Sequence, residues 1–316
     1  MVRLAYAKSR RLSSSGVTTG VTQIVVIGAI NADHVLAVGS LPQPGETITC
    51  TREIAAHGGK GANQAAAAAT LGMDTALIGV VGDDPLGSRE RAALEQAGVD
   101  TSFIRATDTP TGSATVVVDN DGANMIIVQP GANAELSEDD VRAAMQRMDL
   151  SGSVVLASLE VPLDAVAAAA EYARSHGARF VLNPAPAMHL APYLLGWCDV
   201  LLPNAVEQLQ LGYSGSELFE LGVGAIVITQ GADGVEVLRP DRAPMHIESL
   251  HVEARDTTGA GDAFCAALCA ALRRDMDLER ACRFAVIAGA LATTGLGARG
   301  HLPSWDEVER HLGRAV

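Results

Sequence analysis

Aromatic residues and basic residues are both scarce in this sequence. Aromatic side chains make up 3% of the 316 residues, and 23 Lys and Arg stand against 37 Asp and Glu, giving a formal net charge of −14. This acidic excess argues against a basic face that binds duplex nucleic acid. Long hydrophobic runs are missing too. A run such as residues 285–292 is far too short to span a bilayer, so we expect no membrane-spanning segment.

Cysteine is the next scarce residue. The five cysteines form no CxxC pair. Cys265 and Cys269 lie four residues apart, a spacing typical of small core residues on one helix face. The pattern favours free thiols over a disulfide framework, and we expect a protein of the reduced, cytoplasmic compartment.

Acidic residues are absent from the beginning of the chain. The first one is Asp33, and residues 1–23 combine Lys and Arg with a serine run at 13–15. This composition is typical of a disordered tail or of an over-extended start codon, and an organellar transit peptide shares it. We expect a disordered or mis-started tail over residues 1–23 rather than a transit peptide, and we base no fold prediction on it.

Small aliphatic residues are abundant and suit an α/β fold. Hydrophobic residues make up 48% of the chain. Short strand-like segments alternate with helix-like ones, a pattern that predicts a parallel, doubly wound sheet in one domain over residues 24–316. The predicted strands cover residues 23–29, 75–81, 153–158, 179–183, 199–202 and 225–229. The predicted helices cover residues 62–71, 164–176, 217–221 and 263–273, with a further helix ending at residue 97.

Two extended segments, residues 33–57 and 108–129, break this alternation. Both are punctuated by Pro and Gly. The second contains strand-like residues 115–119 and 124–129 around Asn120-Asp121-Gly122, which is a strong hairpin signal. We predict that the two segments form a small second β-layer that acts as a lid.

Two glycine-rich turns run directly into predicted helices. They cover residues 58–63 (GGKGAN) and 256–262 (DTTGAGD). Free backbone N–H groups at a helix N-terminus can cradle an anion, and Asp262 would stand beside that anion as a potential base. Phosphoryl transfer to an alcohol needs this combination. The alternative for each turn is a purely structural one, with Asp256 and Asp262 acting only as helix caps.

A third glycine motif does not predict a dinucleotide site. Residues 295–300 match GxGxxG, but only sixteen residues follow them, too few for a βαβ unit. We interpret this motif as a structural or ion-binding loop.

Polar side chains follow several predicted strands at their carboxyl ends. Asn31 and Asp33 follow the first strand, Glu160 follows residues 153–158, and Asn204 with Glu207 follows residues 199–202. A polar stretch at residues 229–234 follows the last predicted strand. The carboxyl ends of parallel strands meet at one edge of a sheet, so we expect a ligand site there.

These motifs together resemble the carbohydrate kinases of the phosphofructokinase B type, and most closely the ribokinase group. The shared pattern spans about residues 24–314. It comprises residues 28–33 (GAINAD), 44–47 (PGET), 58–64 (GGKGANQ), 82–84 (GDD), 130–133 (PGAN), 182–187 (LNPAPA), 203–204 (PN) with Glu207, and 256–262. The resemblance implies a three-layer, doubly wound, mainly parallel α/β sheet of the ribokinase-like type with a small β-sheet lid. It also implies a homodimer and ATP-dependent phosphorylation of the primary hydroxyl of D-ribose to D-ribose 5-phosphate.

The resemblance further implies a role for each matching residue. The sugar would contact Asn31, Asp33, Gly59, Lys60, Asn63, Glu160 and Asp262. Asp262 would be the base, and Gly259, Ala260 and Gly261 would form the anion hole. ATP would contact Asn204, Thr229, Gly231, Gly234 and Gly261, with Glu207 organising Mg²⁺ and its waters. A monovalent cation, usually K⁺, would bind Asp256, Thr258 and the backbone carbonyls of Ala292, Gly295 and Gly297.

Three features depart from the family pattern. His301 stands where these kinases usually offer a serine hydroxyl to the cation, which leaves its part in the cation site open. Val286 replaces a polar residue often found near the adenine. The stretch between Asn204 and Thr229 is shorter than usual by about one helix, which should shorten the structure near the nucleotide.

Other interpretations exist both for the molecule that accepts the phosphoryl group and for the kinase activity itself. Asp33 and Glu160 would repel a sugar phosphate, and Lys60 is the only cation among the predicted sugar ligands, so an uncharged sugar is favoured. Another pentose, deoxyribose or a nucleoside is the alternative acceptor. A nucleoside is disfavoured because Phe103 is the only aromatic residue between residues 7 and 171. A non-catalytic sugar- or nucleotide-binding regulator is the alternative from another class, and the complete 256–262 motif argues against it.

Overall fold

A computed structural model of the chain describes residues 22–313. Of the predicted N-terminal tail, residues 1–21 lie outside this range. The strands are β1 Ile24–Ile27, β2 Asn31–Ala37, β3 Arg52–Gly58, β4 Thr75–Gly82, β5 Ile104–Thr107, β6 Ser113–Val118, β7 Asn124–Gln129, β8 Val154–Ser158, β9 Arg179–Asn183, β10 Val200–Leu201, β11 Ile226–Thr229, β12 Val235–Leu238 and β13 Met245–Ile247. The helices are α1 Lys60–Thr70, α2 Pro85–Gln96, α3 Glu138–Met145, α4 Leu163–Ser175, α5 Pro192–Leu195, α6 Ala205–Leu211, α7 Gly215–Glu220, α8 Ala260–Arg273, α9 Leu278–Ala292 and α10 Trp305–Leu312.

Nine strands form one large sheet in the order β13-β12-β11-β10-β9-β8-β1-β4-β5. Pairing is parallel from β11 through β1 to β5, and only β12 and β13 at one edge are antiparallel. The chain places β4 next to β1 on one side of that strand, and it later places β8 on the other side of β1. This reversal opens a crevice at the carboxyl ends of β1 and β8, where doubly wound sheets bind their ligands.

Helices cover both faces of the large sheet. Successive β1 residues point to opposite faces because side chains alternate along a strand. Ile24 and Val26 pack with α1, α8 and α9, whereas Val25 and Ile27 pack with α3 and α4. All four side chains are fully buried. The predicted three-layer, mainly parallel α/β class is confirmed.

A second sheet has four strands in the order β3-β2-β6-β7. It is built largely from the two segments that break the strand–helix alternation. The predicted hairpin forms as β6 and β7, with Ser113 paired to Gln129. Because β2 follows β1 closely in the chain, this small sheet stands beside the carboxyl edge of the large one. Its action as a lid stays a prediction.

The two helices that follow the glycine turns begin earlier than predicted. α1 begins at Lys60 rather than residue 62, and α8 begins at Ala260 rather than residue 263. The N-cap of α1 is Gly59, with a φ of 83°, and that of α8 is Gly259, with a φ of 78°. Glycine adopts positive φ at low cost, so each glycine turns the chain straight into its helix. Lys60 and Asp262 consequently lie in the first turn of a helix rather than before it.

Helix length and cysteine state agree with the composition. No helix within residues 22–313 is long and apolar enough to cross a membrane. The five cysteines are free thiols, and all except Cys50 are buried. The two predicted to face one side of a helix, Cys265 and Cys269, both pack into the core from α8.

Candidate active site

Two adjoining cavities open at the carboxyl edge of the large sheet. The larger has a volume of about 480 Å³ and the smaller one of about 120 Å³. Asn204, Thr229 and Gly261 line both cavities, so the two spaces meet at these residues. The site is therefore elongated and has room for two ligands end to end.

The larger cavity suits a nucleotide. All five residues predicted to bind ATP line it, namely Asn204, Thr229, Gly231, Gly234 and Gly261. Much of the remaining wall is apolar, with Phe264 from α8 and Val286 from α9. An apolar slot with polar groups at one end fits a purine base whose phosphates extend toward the N-terminus of α8.

The smaller cavity joins the two glycine turns. Lys60 lines one side of it, and Gly259, Gly261 and Asp262 line the other. Burial lowers the pKa of Lys60, but the carboxylates of Asp262, Glu160 and Glu207 outweigh burial and raise the pKa above its ordinary value. The ammonium is therefore protonated at neutral pH, and it faces the place where an anion would be held.

Asp262 is 8% exposed and is held by two amides from α1. Asn63 Nδ2 donates to Asp262 Oδ2 at 3.0 Å, and Gln64 Nε2 donates to Oδ1 at 3.1 Å. Burial raises the pKa of Asp262, and the charge of Lys60, the two amide hydrogen bonds and the charge of Arg299 oppose that rise. A carboxylate with a raised pKa is a stronger base than an ordinary aspartate, which suits general-base catalysis.

Glu160 lies at the start of α1. It accepts a hydrogen bond from the Lys60 backbone N–H through Oε2 at 2.7 Å, so it satisfies one of the N–H groups left unpaired at a helix N-terminus. Burial raises the pKa of Glu160 despite this bond and the charge of Lys60. The carboxylate thus reaches the N-terminus of α1 from the segment that follows β8.

Asn31 and Asp33 extend the site along β2. Asn133 Nδ2 donates to Asn31 Oδ1 at 2.8 Å, and the Ala114 N–H donates to Asp33 Oδ1 at 2.9 Å. Burial also raises the pKa of Asp33. Asn31 is therefore oriented by a residue outside the small sheet, and Asp33 by the neighbouring strand β6.

Glycine is required where β3 ends and α1 begins. A Cβ on Gly58 would lie 1.9 Å from Asp33 Oδ2. A Cβ on Gly59 would lie 2.5 Å from the carbonyl oxygen of Ala29. No side chain fits at either position, so the turn brings Asp33 and the helix N-terminus close together.

Two of the three backbone N–H groups predicted to form the anion hole at the N-terminus of α8 are unpaired in the described structure. Among the described residues, the N–H groups of Gly259 and Gly261 have no hydrogen-bond acceptor, whereas the Ala260 N–H donates to the Thr257 carbonyl at 3.2 Å. A Cβ on Gly261 would meet nothing within 4 Å, so open space lies above that residue. Gly259 and Gly261 are thus available to an anion, and Ala260 is engaged in the turn.

Glu207 faces the smaller cavity from α6. The Asn204 N–H donates to Glu207 Oε2 at 2.8 Å, and the Glu207 N–H donates to Asn204 Oδ1 at 2.8 Å, a capping box at the helix start. Burial raises the pKa of Glu207. Its other carboxylate oxygen remains for a hard cation or its waters, the ligand type that Mg²⁺ prefers.

The predicted cation residues lie in two segments of the chain, one just before α8 and the other at and after the end of α9. Asp256 accepts hydrogen bonds from the Thr258 N–H at 2.9 Å and from the Gly297 N–H at 2.7 Å. These bonds outweigh burial and hold the pKa of Asp256 below its ordinary value. Ala292 is the last residue of α9, and Gly295 and Gly297 follow it in the next loop. A carboxylate that is ionised at neutral pH beside backbone carbonyls is a donor set that suits a monovalent cation.

The side chain of His301 is turned toward two neighbours in its own segment of the chain. His301 Nδ1 lies 2.6 Å from Thr294 Oγ1, and Nε2 lies 3.3 Å from Glu307. A Cβ on Gly295 would lie 2.4 Å from the His301 backbone N, which makes this part of the loop tight. Both ring nitrogens are therefore occupied without a cation.

The sequence does not predict three residues that the structure brings into the site, namely Gln64, Asn183 and Arg299. Gln64 contacts Asp262 and also donates to Asn183 Oδ1 at 3.2 Å. Arg299 donates to Asn63 Oδ1 at 2.9 Å. Gln64 had a local signal, because it lies four residues after Lys60 on one helix face. Asn183 had a weaker one as the last residue of a strand, and Arg299 had none.

The comparisons with known proteins agree with this geometry. The family model described as pfkB family carbohydrate kinase matches residues 21–305. A ribokinase of Haemophilus influenzae is 37% identical over 304 residues, covering 92% of this chain and 99% of the relative. A deoxyribokinase of Salmonella typhi is 32% identical over 302 residues, covering 92% of this chain and 98% of the relative. The structure of the Arabidopsis thaliana ribokinase complexed with ribose and ATP superposes with a TM-score of 0.84 at 30% identity, covering 93% of this chain and 99% of that chain.

Proposed function

The chain belongs to the pfkB family of carbohydrate kinases, and on this premise we propose that it transfers the γ-phosphoryl group of ATP to the primary hydroxyl of D-ribose. The product is D-ribose 5-phosphate. The observation that carries the proposal is the place of Asp262, which lies between the predicted sugar ligands on α1 and the free N–H groups at the start of α8. A base at that point can reach an acceptor hydroxyl and face the phosphate at the same time.

Asp262 accepts the proton of the hydroxyl as that oxygen attacks the γ-phosphorus. The N–H groups of Gly259 and Gly261 and the ammonium of Lys60 offset the charge that spreads over the phosphoryl oxygens. Asn31, Asp33, Asn63 and Glu160 hold the sugar hydroxyls, since carboxylates and amides pair well with polyols. Mg²⁺, when bound with ATP, neutralises phosphate charge, and Glu207 is placed to hold its waters.

An ADP-release assay across a panel of sugars tests this function. We expect D-ribose to give the highest kcat/KM, with 2-deoxyribose, other pentoses, hexoses and nucleosides below it. ADP release without sugar serves as the control for uncoupled hydrolysis. Binding of ribose with no ADP release from any sugar would instead favour a non-catalytic regulator.

Deoxyribose is the second candidate acceptor, because a deoxyribokinase is also 32% identical to this chain. A nucleoside is disfavoured by where the aromatic rings lie. Phe264 lines the nucleotide cavity, and Phe103 is buried on the face of the sheet that packs against α3 and α4. Neither ring offers a stacking surface on the sugar side.

We also propose activation by a monovalent cation bound between Asp256 and the loop of residues 292–301. Replacing tetramethylammonium by K⁺ at constant ionic strength should raise kcat/KM at least about fivefold, within the usual range for coupling between two sites. Asp256→Asn should lose most of this response, because it removes the anionic ligand. Equal rates of the wild-type protein in the two salts would contradict the cation proposal while leaving the kinase proposal intact.

We further propose a homodimer formed through the small sheet. Among the residues that the structure describes, its outer strand β7 pairs only with β6 and exposes Ile126 and Ile127 by 56% and 62%. An unpaired apolar edge of this kind marks an association surface.

Sedimentation of the wild-type protein should give twice the chain mass of 32.6 kDa. Ile127→Asp should shift the protein to the monomer, because it places a charge on the apolar strand. Leu209→Asp is the matched control, since Leu209 is 82% exposed on α6. A monomeric wild-type protein, or dissociation caused equally by both variants, would rule out this interface.

A further inference from the structure

We infer that Arg299 is a positioning residue for the proposed base, an inference that rests on the proposed kinase function. Arg299 orients the amide of Asn63 so that its NH₂ group faces Asp262. It thereby connects the direction and ionisation of Asp262 to the loop of residues 293–301 and to the end of β3.

Three hydrogen bonds place Arg299 in this role. Arg299 Nε donates to Asn63 Oδ1 at 2.9 Å, and Nη2 donates to the Gly58 carbonyl at 3.2 Å. Asn63 Nδ2 in turn donates to Asp262 Oδ2 at 3.0 Å. The chain of contacts therefore runs from the loop, through one amide, to the carboxylate.

The guanidinium decides which way the Asn63 amide points. Arginine has donors only, so the Asn63 atom that faces it must be the carbonyl oxygen. The NH₂ group then has to face Asp262. Without Arg299 the amide could rotate and place Oδ1 against the carboxylate, where two oxygens repel each other unless Asp262 is protonated. A protonated Asp262 cannot act as a base.

Charge supports the same orientation. Lys60 on α1 and Arg299 on the loop are the cations that face Asp262, and both lower its pKa. Glu160 and Glu207 face it with negative charge across the cavity, and Cys265 is the neighbour on α8 itself. Loss of Arg299 would leave Lys60, within residues 22–313, as the one cation that faces Asp262 against two carboxylates.

The loop that carries Arg299 is held in place by contacts just before and just after this residue. The Gly297 N–H donates to Asp256, and a Cβ on Gly259 would lie 2.6 Å from the Ala298 carbonyl, so the loop packs directly against the anion hole. A Cβ on Gly300 would lie 2.0 Å from the Leu296 carbonyl, which shows how tightly the loop turns. The backbone around Arg299 is therefore held in place, and its side chain extends toward Asn63.

The test compares Arg299→Met with Arg299→Lys and with Arg283→Met. Arg283 is an exposed arginine on α9 and controls for the loss of one positive charge. We expect Arg299→Met to lower kcat about 10- to 100-fold, the cost of a misplaced catalytic group, while the KM for ATP changes little. Arg299→Lys should recover part of the loss because an ammonium is also a donor-only group. Arg283→Met should match the wild-type protein.

The pH dependence separates positioning from a merely structural cross-link. The acid limb of the kcat profile of Arg299→Met should move to higher pH, so that its deficit shrinks as the pH rises. The titration midpoint of Asp262, followed by the ¹³C shift of labelled aspartate and assigned by its absence in Asp262→Asn, should move in the same direction without any substrate. An unchanged midpoint would overturn the inference even if ribose is not the acceptor. A wild-type protein that phosphorylates no sugar would overturn the proposed function alone.

Discussion

Asp262→Asn should lower kcat for ribose phosphorylation by about 10²- to 10⁴-fold, the usual contribution of a general base. Asparagine keeps the size of the side chain but cannot take the proton of the attacking hydroxyl. The loss should appear in kcat, with the KM for ATP near that of the wild-type protein, because the larger cavity is lined mainly by other residues. The measurement is steady-state ADP release with ribose and ATP varied in turn.

Asp306→Asn is the matched control for this variant. Asp306 occupies the first turn of α10 as Asp262 occupies the first turn of α8, but it is exposed and lines neither cavity. It should retain the wild-type rate. If Asp262→Asn also retained that rate, the assignment of the base would be wrong.

The same burial that suits Asp262 to the proposed role of base makes its charge unfavourable for stability. The pKa of Asp262 is raised mainly by burial. For a group whose folded-state pKa lies above its unfolded value, the linked stability is fully present below the unfolded pKa and is lost as the pH rises through the folded pKa. Asparagine carries no charge at any pH, so the thermal midpoint of Asp262→Asn should fall less than that of the wild-type protein as the pH rises to 7. Its own NH₂ group faces one of the two amide donors from Asn63 and Gln64, which offsets part of this gain.

Gly259→Ala should lower kcat by about 10²- to 10³-fold, the cost of losing one donor from an anion hole. Gly259 has a φ of 78°, which an L-residue rarely adopts. Its Cβ would also lie 2.6 Å from the Ala298 carbonyl oxygen and 2.7 Å from the Ala298 Cα. Because these are backbone atoms, the α8 N-terminus or the loop must shift, and the N–H groups move away from the phosphate.

Gly177→Ala separates this effect from ordinary backbone strain. Gly177 has a φ of 70°, and a Cβ there would meet nothing within 4 Å. Both variants should lose some thermal stability, but only Gly259→Ala should lose activity. A Gly259→Ala protein with a kcat within twofold of the wild type would show that the anion hole tolerates the shift or lies elsewhere.

Much of the site could be predicted because it is local in the chain. Asn31, Glu160 and Asn204 each follow a buried strand, and parallel strands bring their carboxyl ends to one edge. The glycine turns before α1 and α8 also carry their own signal, since Gly59 and Gly259 adopt a backbone conformation that favours glycine. In both places the predicted site residues are neighbours in the sequence or follow from the rule that parallel strands end at one edge of the sheet.

What could not be predicted depends on tertiary contacts. Arg299 lies more than two hundred positions after Asn63, and nothing near it in the sequence indicates an amide partner. The predicted start of α8, at residue 263, is three residues too late because Ala260 and Gly261 are weak helix signals on their own. The helix begins at Ala260 only because Gly259 can turn the chain. The engagement of the Ala260 N–H by Thr257 likewise follows from the turn and not from residue type.

The central place of β1 has a consequence for how the chain folds. β1 is the first strand in the sequence, yet its neighbours are β4 and β8, and Ile24 pairs with Val154. Contacts between distant parts of a chain slow folding, because a long loop must close before they form. β4 can pair with β1 soon after it is synthesised, but the other edge of β1 stays unpaired until β8 exists, when nearly half of the protein has been synthesised. Asp262 joins later still, so catalytic competence is acquired close to the end of synthesis rather than built up strand by strand.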